Sequence, residues 1–241
     1  MGIQGTEVAK ESSDIAILDD NFASVVTVLR WGRCVYNNIQ KFLQFQLTVS
    51  IAGLVINFVT VVSFGKVPLT AGVNLIMNIV GALALATEQP TNDNDLMKQS
   101  PVGRSKPLIT KIMWRNLISQ AVFQITILLI LQFRGRSIFH VSETVMNTMI
   151  FKTFVLCQLF NQFSASTLEK KNIFQGIHKK KLFLAIILQM AMIEFLKKYA
   201  NTERLNWGQW GVCIGIAALS WPIGFLFKCI PVSGKQNFAK A

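Results

Sequence analysis

Six apolar runs separated by short polar segments constrain this chain more than any other feature of its sequence. A bilayer core about 30 Å thick is crossed by about 20 helical residues. Only 15% of the 241 residues are charged, whereas soluble proteins average roughly 25%. We therefore predict an all-α membrane protein with six transmembrane helices in contact with the lipid bilayer, at residues 42–62, 67–86, 116–133, 144–163, 182–199 and 207–227.

Two of these six runs are short for a membrane span. In the second, Pro68 stands at the entry, and the continuous apolar stretch begins only near Ala71. In the fifth, the apolar run from Leu182 to Leu196 would extend about 22 Å as a helix, at ~1.5 Å per residue. A helix of that length requires a locally thinner bilayer or support from its neighbours.

The basic residues predict the orientation of the chain. The net charge is +12, and the positive charges lie between the apolar runs rather than in one cluster, which argues against a nucleic-acid partner. If residues 1–41 and the tail 228–241 are cytosolic, most of the 24 lysines and arginines also fall on the cytosolic side. This distribution follows the positive-inside rule. We expect a multi-pass protein with both termini in the cytosol.

The first 41 residues contain no stretch long enough to cross a bilayer. Within them, Val8 to Leu18 could form a short buried strand, and Phe22 onward is expected to be a helix that continues into the first span. Asp19 and Asp20 are interpreted as caps or turn formers rather than metal ligands. The four cysteines lie far apart without CxxC spacing, so we expect free thiols.

Four segments resemble one protein family. They are GTEVAKESSDIAILDDNFASVVTVLRWGRCVYNNIQKFLQFQLT at 5–48, NLIMNIVGALALATEQPT at 74–91, FKTFVLCQLFNQF at 151–163 and ERLNWGQWGVCIGIAALSWPIGFLFK at 203–228. The chain resembles the C-terminal part of P-type cation ATPases, most closely the plant autoinhibited calcium pumps. The resemblance implies that the six spans are the fifth to tenth helices of a ten-helix pump. It also implies that residues 1–41 are the end of the phosphorylation domain and the stalk helix.

The resemblance further implies ATP-driven calcium export from the cytosol, with ATP and magnesium used by the full-length family. The family motifs DKTGT, TGE, GDGxND and PEGL do not occur in these 241 residues. Phosphoryl transfer needs a nucleophile, magnesium and a clamp on the phosphate. We therefore expect no catalytic residue, no bound cofactor and no ATP hydrolysis by this chain alone. The alternatives are a non-enzymatic partner of an intact P-type pump, an independent six-helix channel and an incomplete gene model.

Polar residues inside the spans are the candidate cation ligands. Gln46, Ser50, Gly53 and Asn57 recur along one stripe of the first span, a pattern that helix packing also explains. By resemblance, Ser50 occupies the place of a cation-facing asparagine. Asn74 and Asn78 occupy the places of an asparagine and an aspartate that bind calcium in the family. Because Asn78 keeps an oxygen but brings no negative charge, we expect weak calcium binding.

Three further features of the spans bear on transport. Lys152 lies near the middle of the fourth span, where its ammonium could act as a tethered cation bonded to oxygens such as that of Asn74 or could extend to the outer water. Glu194 is interpreted as an interfacial charge, with a proton or ion relay as the alternative. Compared with the family pattern, the sixth-helix region lacks a few residues before Asn74, and the ninth-helix region is about one turn short.

Overall fold

Helices form all of the regular structure in the described part of the chain. The computed structural model describes residues 5–19, 21–65, 71–87, 101–103, 106–166, 186–189, 191 and 205–230. Residues 186–189 are helical. The longer elements are α1 Glu7–Glu11, α2 Ala23–Phe64, α3 Ala71–Ala86, α4 Lys111–Phe139, α5 Glu143–Ser166, α6 Trp207–Ala218 and α7 Ser220–Cys229.

Three segments of the described chain are long and apolar enough to cross a membrane: α2, α4 and the continuous stretch Trp207–Cys229 formed by α6 and α7. They contain three of the six predicted spans. The helix α3 has 16 residues and extends about 24 Å at 1.5 Å per residue. The helix α5 has 24 residues but is not among these three segments, and the predicted span 182–199 lies mostly outside the described residues. The chain is a helical membrane protein, and the count of six spans stays a prediction.

Contacts along α2 establish the directions of α3 and α4. Gln40, near the beginning of the buried part of α2, donates to the carbonyl of Leu108 just before α4 (3.0 Å). At the other end, the rings of Phe64 and Phe133 lie 5.6 Å apart, so α2 and α4 run in parallel. Asn38 donates to the carbonyl of Ala86, the last residue of α3 (3.3 Å). The helix α3 therefore runs in the opposite direction to α2.

Contacts along α5 establish the remaining directions. The thiol of Cys213 in α6 points to the carbonyl of Met149 (3.8 Å), and Lys228 at the end of α7 donates to the carbonyl of Ser164 (3.2 Å). The helices α6 and α7 therefore run parallel to α5. A Cβ at Gly135, late in α4, would touch Met146, early in α5, which makes α4 and α5 antiparallel. These alternating directions are those expected of successive spans joined by loops.

The helix α5 lies at the centre of the bundle. Of its 24 residues, 18 are buried, and they lie on all sides of the helix. The core around it includes Phe45 and Ile56 of α2, Leu128 of α4 and Cys213 of α6. A helix enclosed by other helices does not have to match the polarity of lipid, so α5 can carry polar side chains such as Lys152, Gln158 and Asn161 in buried positions.

Capping interactions and proline explain where the helices begin, end and bend. The helix α2 ends at Gly65, which adopts φ +65° and donates to the carbonyl of Val61 (2.9 Å). This left-handed conformation is easily reached by glycine. The side chain of Thr110 accepts from the amide of Met113 and begins α4. The break between α6 and α7 at Leu219 precedes Pro222, which cannot donate a backbone hydrogen bond.

The N-terminal region differs from the predicted strand. Residues Glu7–Glu11 form a helical turn, and Val8, Ile15 and Leu18 are 77%, 64% and 66% exposed. The prediction of a buried strand is wrong, because none of the elements that the structure describes provides a strand partner or a core here. The predicted helix from Phe22 onward is confirmed by α2, which extends about 63 Å, about twice the thickness of a bilayer core. Its first half therefore projects beyond the lipid.

A turn at Asp19 starts α2, as predicted for this residue; Asp20 lies outside the described residues. The carboxylate of Asp19 accepts hydrogen bonds from the hydroxyl of Ser24 and the amide of Asn21. These bonds, with that of Ser24 the larger cause, hold the pKa of Asp19 below its usual 3.8. The prediction that the cysteines form no disulfide bond is also confirmed for all four, which lie within the described residues.

Candidate cation-binding surface and polar interior

The predicted polar stripe of α2 lies at the edge of the buried face of this helix. Ser50 is exposed, whereas Gln46 and Asn57 are half-buried. Gly53 lies against α5, since a Cβ there would be 3.7 Å from the ring of Phe154. The residues of the stripe therefore lie in different environments. Gly53 packs on α5, whereas Ser50 faces away from the bundle.

The two asparagines predicted as cation ligands lie on α3, which packs against α2. They are four residues apart and hence on the same side of the helix. Asn78 is half-buried, and the side chain of Asn74 lies outside what the structure describes. The grouping of Ser50, Asn74 and Asn78 into one cation site therefore stays a prediction.

A second set of polar side chains, missed by the sequence analysis, lies inside the bundle on α5. Gln158 donates to the side-chain oxygen of Gln124 in α4 (3.1 Å). Gln162 donates to the carbonyl of Gly81 in α3 (3.5 Å). Asn161, which lies between Gln158 and Gln162 in the sequence, is fully buried. The i, i+3, i+4 spacing of these three side chains was the available signal, because it places them on one side of a helix.

Several amide atoms in this interior have no hydrogen-bond partner in the described structure. They include both side-chain polar atoms of Gln44 and Asn161, and the side-chain oxygens of Gln158 and Gln162. Leaving a buried polar atom without a partner costs roughly 1–3 kcal/mol. We refer to Gln44, Gln158, Asn161 and Gln162 as the amide cluster. Its oxygens are suited to accept hydrogen bonds from water or to contact a cation.

The described interior offers neutral oxygens rather than carboxylates. The acidic residues that the structure describes are Glu7, Glu11, Asp14 and Asp19 in the N-terminal region and Glu143 at the start of α5. Within the same residues, no group of three or more His, Cys, Asp or Glu side chains is placed to hold a metal ion. Calcium requires six to eight oxygens and gains most affinity from carboxylates. The oxygens of the described interior are therefore neutral, and such oxygens bind calcium more weakly than carboxylates do.

Lys152 is the one cation within the described interior. Its residue is 1% exposed, and its ammonium lies 4.1 Å from the centre of the Trp210 ring. The prediction that this side chain extends to the outer water is therefore wrong. The physical reason is that the aromatic face of Trp210, on the parallel helix α6, provides an electrostatic partner before the side chain reaches the end of the bundle.

A reciprocal pair of hydrogen bonds fastens α4 to the break between α6 and α7. The amide of Gln120 donates to the carbonyl of Ser220 (3.3 Å), and the hydroxyl of Ser220 donates to the side-chain oxygen of Gln120 (3.1 Å). A Cβ at Gly224 would lie 2.8 Å from the amide nitrogen of Gln120. The absence of a side chain at Gly224 therefore allows this close approach.

Similarity to known proteins extends over almost the whole chain. Calcium-transporting ATPase 12, plasma membrane-type, of Arabidopsis thaliana is 65% identical over 242 residues, which cover 97% of this chain and 23% of that relative. Calcium-transporting ATPase 7, plasma membrane-type, of Oryza sativa subsp. japonica is 59% identical, covering 96% of this chain and 23% of the relative. The chain thus spans about a quarter of the length of these curated relatives.

The alignment lengths show that the relatives have residues without a counterpart here. Calcium-transporting ATPase 8, plasma membrane-type, of Arabidopsis thaliana is 58% identical over 248 residues, although this chain has 241. The family described as "Cation transporting ATPase, C-terminus" matches residues 72–230, which is more than half of the chain and includes α3 to α7. The chain therefore belongs to the cation-transporting ATPases, and it corresponds to the C-terminal region of their plant plasma membrane-type calcium-transporting members.

Proposed function

We propose that this chain forms the C-terminal membrane part of a calcium-transporting P-type ATPase, and that it serves ATP-driven calcium export from the cytosol only together with a catalytic portion. The observation that carries the proposal is the match of 96–97% of the chain to relatives named as calcium-transporting ATPases. The chain would supply helices that line the cation path. The catalytic portion would supply the phosphorylation chemistry.

The proposed contribution of the membrane helices is a set of neutral oxygens. The asparagines 74 and 78 on α3 would face the transported ion. Ser50 on the adjacent α2 is exposed in this chain, so it would face the ion only where membrane helices of the catalytic portion cover that side of α2. Two amides and a hydroxyl lower the charge of the site relative to one that contains a carboxylate. Since the charge of the ligands tunes calcium affinity over several orders of magnitude, the site would bind calcium weakly.

ATP and magnesium would be held by the catalytic portion. Magnesium in phosphoryl-transfer sites is bound by carboxylates and by the phosphates of the substrate. The described carboxylates of this chain lie in the N-terminal region and at Glu143, at opposite ends of the bundle. We propose that the purified chain shows no calcium-stimulated, vanadate-sensitive release of phosphate. Such activity in the purified chain would contradict the proposal.

The transport proposal is tested by a chimera in which this chain replaces the matching quarter of calcium-transporting ATPase 12 of Arabidopsis thaliana. We expect ATP-driven calcium uptake into sealed vesicles, with an apparent affinity below that of the intact relative. The variant Asn78→Asp should raise the apparent affinity about tenfold, because a carboxylate is added to the proposed site. The matched control is Asn147→Asp, a half-buried asparagine near the start of α5. Equal effects of both variants would contradict the assignment of Asn78.

The second candidate function is that of a non-catalytic partner of an intact pump. The exposure of Ser50 favours it. A hydroxyl on the outer surface of an apolar helix is poorly accommodated by lipid, and polar groups in membrane helices commonly bond to a neighbouring helix. A helix of a separately made, intact pump could cover it. Co-purification of the chain with a tagged full-length relative would support this candidate if Ser50→Leu weakens the association. The exposed position Leu54→Ser, one turn further, is the reciprocal control.

The proposed location is a membrane with both chain ends in the cytosol. The helix directions place the beginnings of α2 and α4 and the ends of α3, α5 and α7 at one end of the bundle. The described basic residues Lys41, Lys111, Arg115 and Lys228 lie at that end, and Arg134 and Arg136 lie at the other. This distribution supports the cytosolic assignment under the positive-inside rule.

A further inference from the structure

The helix α3 meets three other helical elements at Gly81, a buried residue in its second half. A Cβ at this position would lie 2.8 Å from the side-chain nitrogen of Gln189 and 3.1 Å from the side-chain oxygen of Gln162. It would also lie 3.2 Å from the ring of Phe45. These three side chains belong to the helical residues 186–189, to α5 and to α2. The backbone of α3 therefore lies directly against side chains of three neighbouring elements, with no room for a side chain of its own.

Gln162 is the member of this contact that also bonds to the backbone of α3. Its side-chain nitrogen donates to the carbonyl of Gly81 at 3.5 Å, which is long for a hydrogen bond. Gln162 is fully buried, and it belongs to α5, which other helices enclose. Because protein interiors are close-packed, a side chain in such surroundings has little freedom to move. Gln162 is thus a fixed point against which α3 packs.

Gly81 lies on the same side of α3 as the two predicted cation ligands. It follows Asn78 by three residues and Asn74 by seven, and both intervals return to one face of a helix. Side-chain atoms of a helix lie roughly 5 Å from its axis, so a rotation of α3 by about 10° moves them by ~1 Å. Calcium–oxygen distances span only about 2.3–2.6 Å. A small rotation of α3 therefore decides whether an asparagine oxygen on this face can contact the ion.

We propose that Gln162 is a positioning residue for the transported cation. By holding the backbone of α3 at Gly81, it fixes the rotation of α3 and with it the direction in which Asn78 faces. This inference rests on the proposed function, because Asn78 is a ligand only if the chain takes part in calcium transport. Gln162 acts through α3 and does not have to touch the ion. In metal sites, loss of a group that orients a ligand costs about 10- to 100-fold in metal affinity.

The chimera with calcium-transporting ATPase 12 tests this role through Gln162→Met, which keeps the length of the side chain but removes its amide. We expect the apparent calcium affinity to fall about tenfold at an unchanged maximal rate of ATP-driven uptake. A residue that only stabilised the fold would reduce the amount of active pump, and hence the maximal rate, without changing the affinity. The matched control Gln124→Met removes another buried amide bond, between α4 and α5, and should leave the affinity unchanged. Equal affinities of the wild type and Gln162→Met would overturn the proposal.

Gly81→Ala alters the same contact from the side of α3 and provides the test if Gln162→Met does not fold. The added methyl group would push against Gln162 and Phe45, so the affinity should again fall about tenfold. The double variant should also lose about tenfold rather than about a hundredfold, because both substitutions act on one contact. A hundredfold loss, at about the product of the single effects, would overturn the assignment of both residues to one contact.

A measurement on the purified chain separates this inference from the proposed function. In a background where the four native cysteines are replaced by alanine, Asn78→Cys reports the rotation of α3 through its rate of reaction with a small methanethiosulfonate. Gln162→Met should change this rate, whereas Gln124→Met should not. A changed rate without any transport by the wild-type chimera would overturn the proposed function but support the hold of Gln162 on α3. An unchanged rate would overturn the positioning role, whether or not the chimera transports calcium.

Discussion

The contact between Lys152 and Trp210 gives the sharpest energetic prediction. Placing a lysine at the centre of a membrane helix costs ~2.5–3.5 kcal/mol on insertion scales. A cation over a tryptophan ring returns ~2 kcal/mol when the pair is desolvated, and Lys152 is 1% exposed with its ammonium 4.1 Å from the ring centre. The variant Lys152→Met keeps the length of the side chain without its charge. It should therefore stabilise the protein by only about 0.5–1.5 kcal/mol.

A double-mutant cycle isolates the contact. In a Trp210→Leu background, Lys152→Met should stabilise the protein by about 2 kcal/mol more than it does when Trp210 is present, and this difference is the coupling between the two positions. The assay is reversible unfolding in mixed detergent micelles followed by far-ultraviolet circular dichroism. Trp114→Leu is the matched control, since this exposed tryptophan lies at the other end of the bundle and should not couple to Lys152. A coupling to Trp210 below about 0.5 kcal/mol would refute the reasoning, because independent sites already differ from additivity by that amount.

Two further predictions concern the last span and the start of α2. Gly224→Ala should destabilise the protein by about 1–3 kcal/mol in the same unfolding assay, because the added Cβ would displace Gln120 from Ser220. The control is Gly215→Ala, since no atom lies within 4 Å of a Cβ at this position. This variant should be neutral or should stabilise the protein by up to ~1 kcal/mol. Equal effects would show that α4 and α7 do not approach as described. At Asp19, the lowered pKa means that the turn is stabilised above pH 3.8 and that this stabilisation is lost as the pH falls through the lower folded value. In a carboxyl titration by nuclear magnetic resonance, Ser24→Ala should raise the pKa of Asp19 toward 3.8, whereas Ser12→Ala should leave it unchanged; no rise with Ser24→Ala would contradict the assigned cause.

The sequence predicted those parts of the fold that depend on local composition. Apolar runs identified α2, α4 and the span from Trp207 because length and hydropathy determine which helices reach across lipid. The alternating directions of the helices followed from the loops that join them, and the described contacts between helices agree with these directions. The motif resemblance identified the family, which similarity to curated relatives confirmed.

Features set by tertiary packing were beyond the sequence patterns. Of the two alternatives for Lys152, a tethered cation or extension to the outer water, the second is wrong. The sequence did not reveal this because the position of Trp210 beside Lys152 depends on how α5 and α6 pack. Val8 looked like part of a buried strand because the alternation of apolar residues does not reveal whether a partner strand exists. The buried amides of Gln158, Asn161 and Gln162 were missed because their spacing places them on one side of a helix but does not show that this side is enclosed by other helices. Only the fold brings these polar side chains into one interior.

The central claim is that the described helices cross a bilayer in alternating directions, with the beginnings of α2 and α4 on the cytosolic side. Labelling of single cysteines with a membrane-impermeant maleimide in sealed, right-side-out cells tests it most directly, in a background where the four native cysteines are replaced by alanine. We predict that cysteines at Gly65 and Ser142 react from outside, and that cysteines at Ser13 and Lys106 react only after the membrane is permeabilised. Labelling of Lys106→Cys and Ser142→Cys from the same side would contradict the account, because α4 would then not cross the membrane.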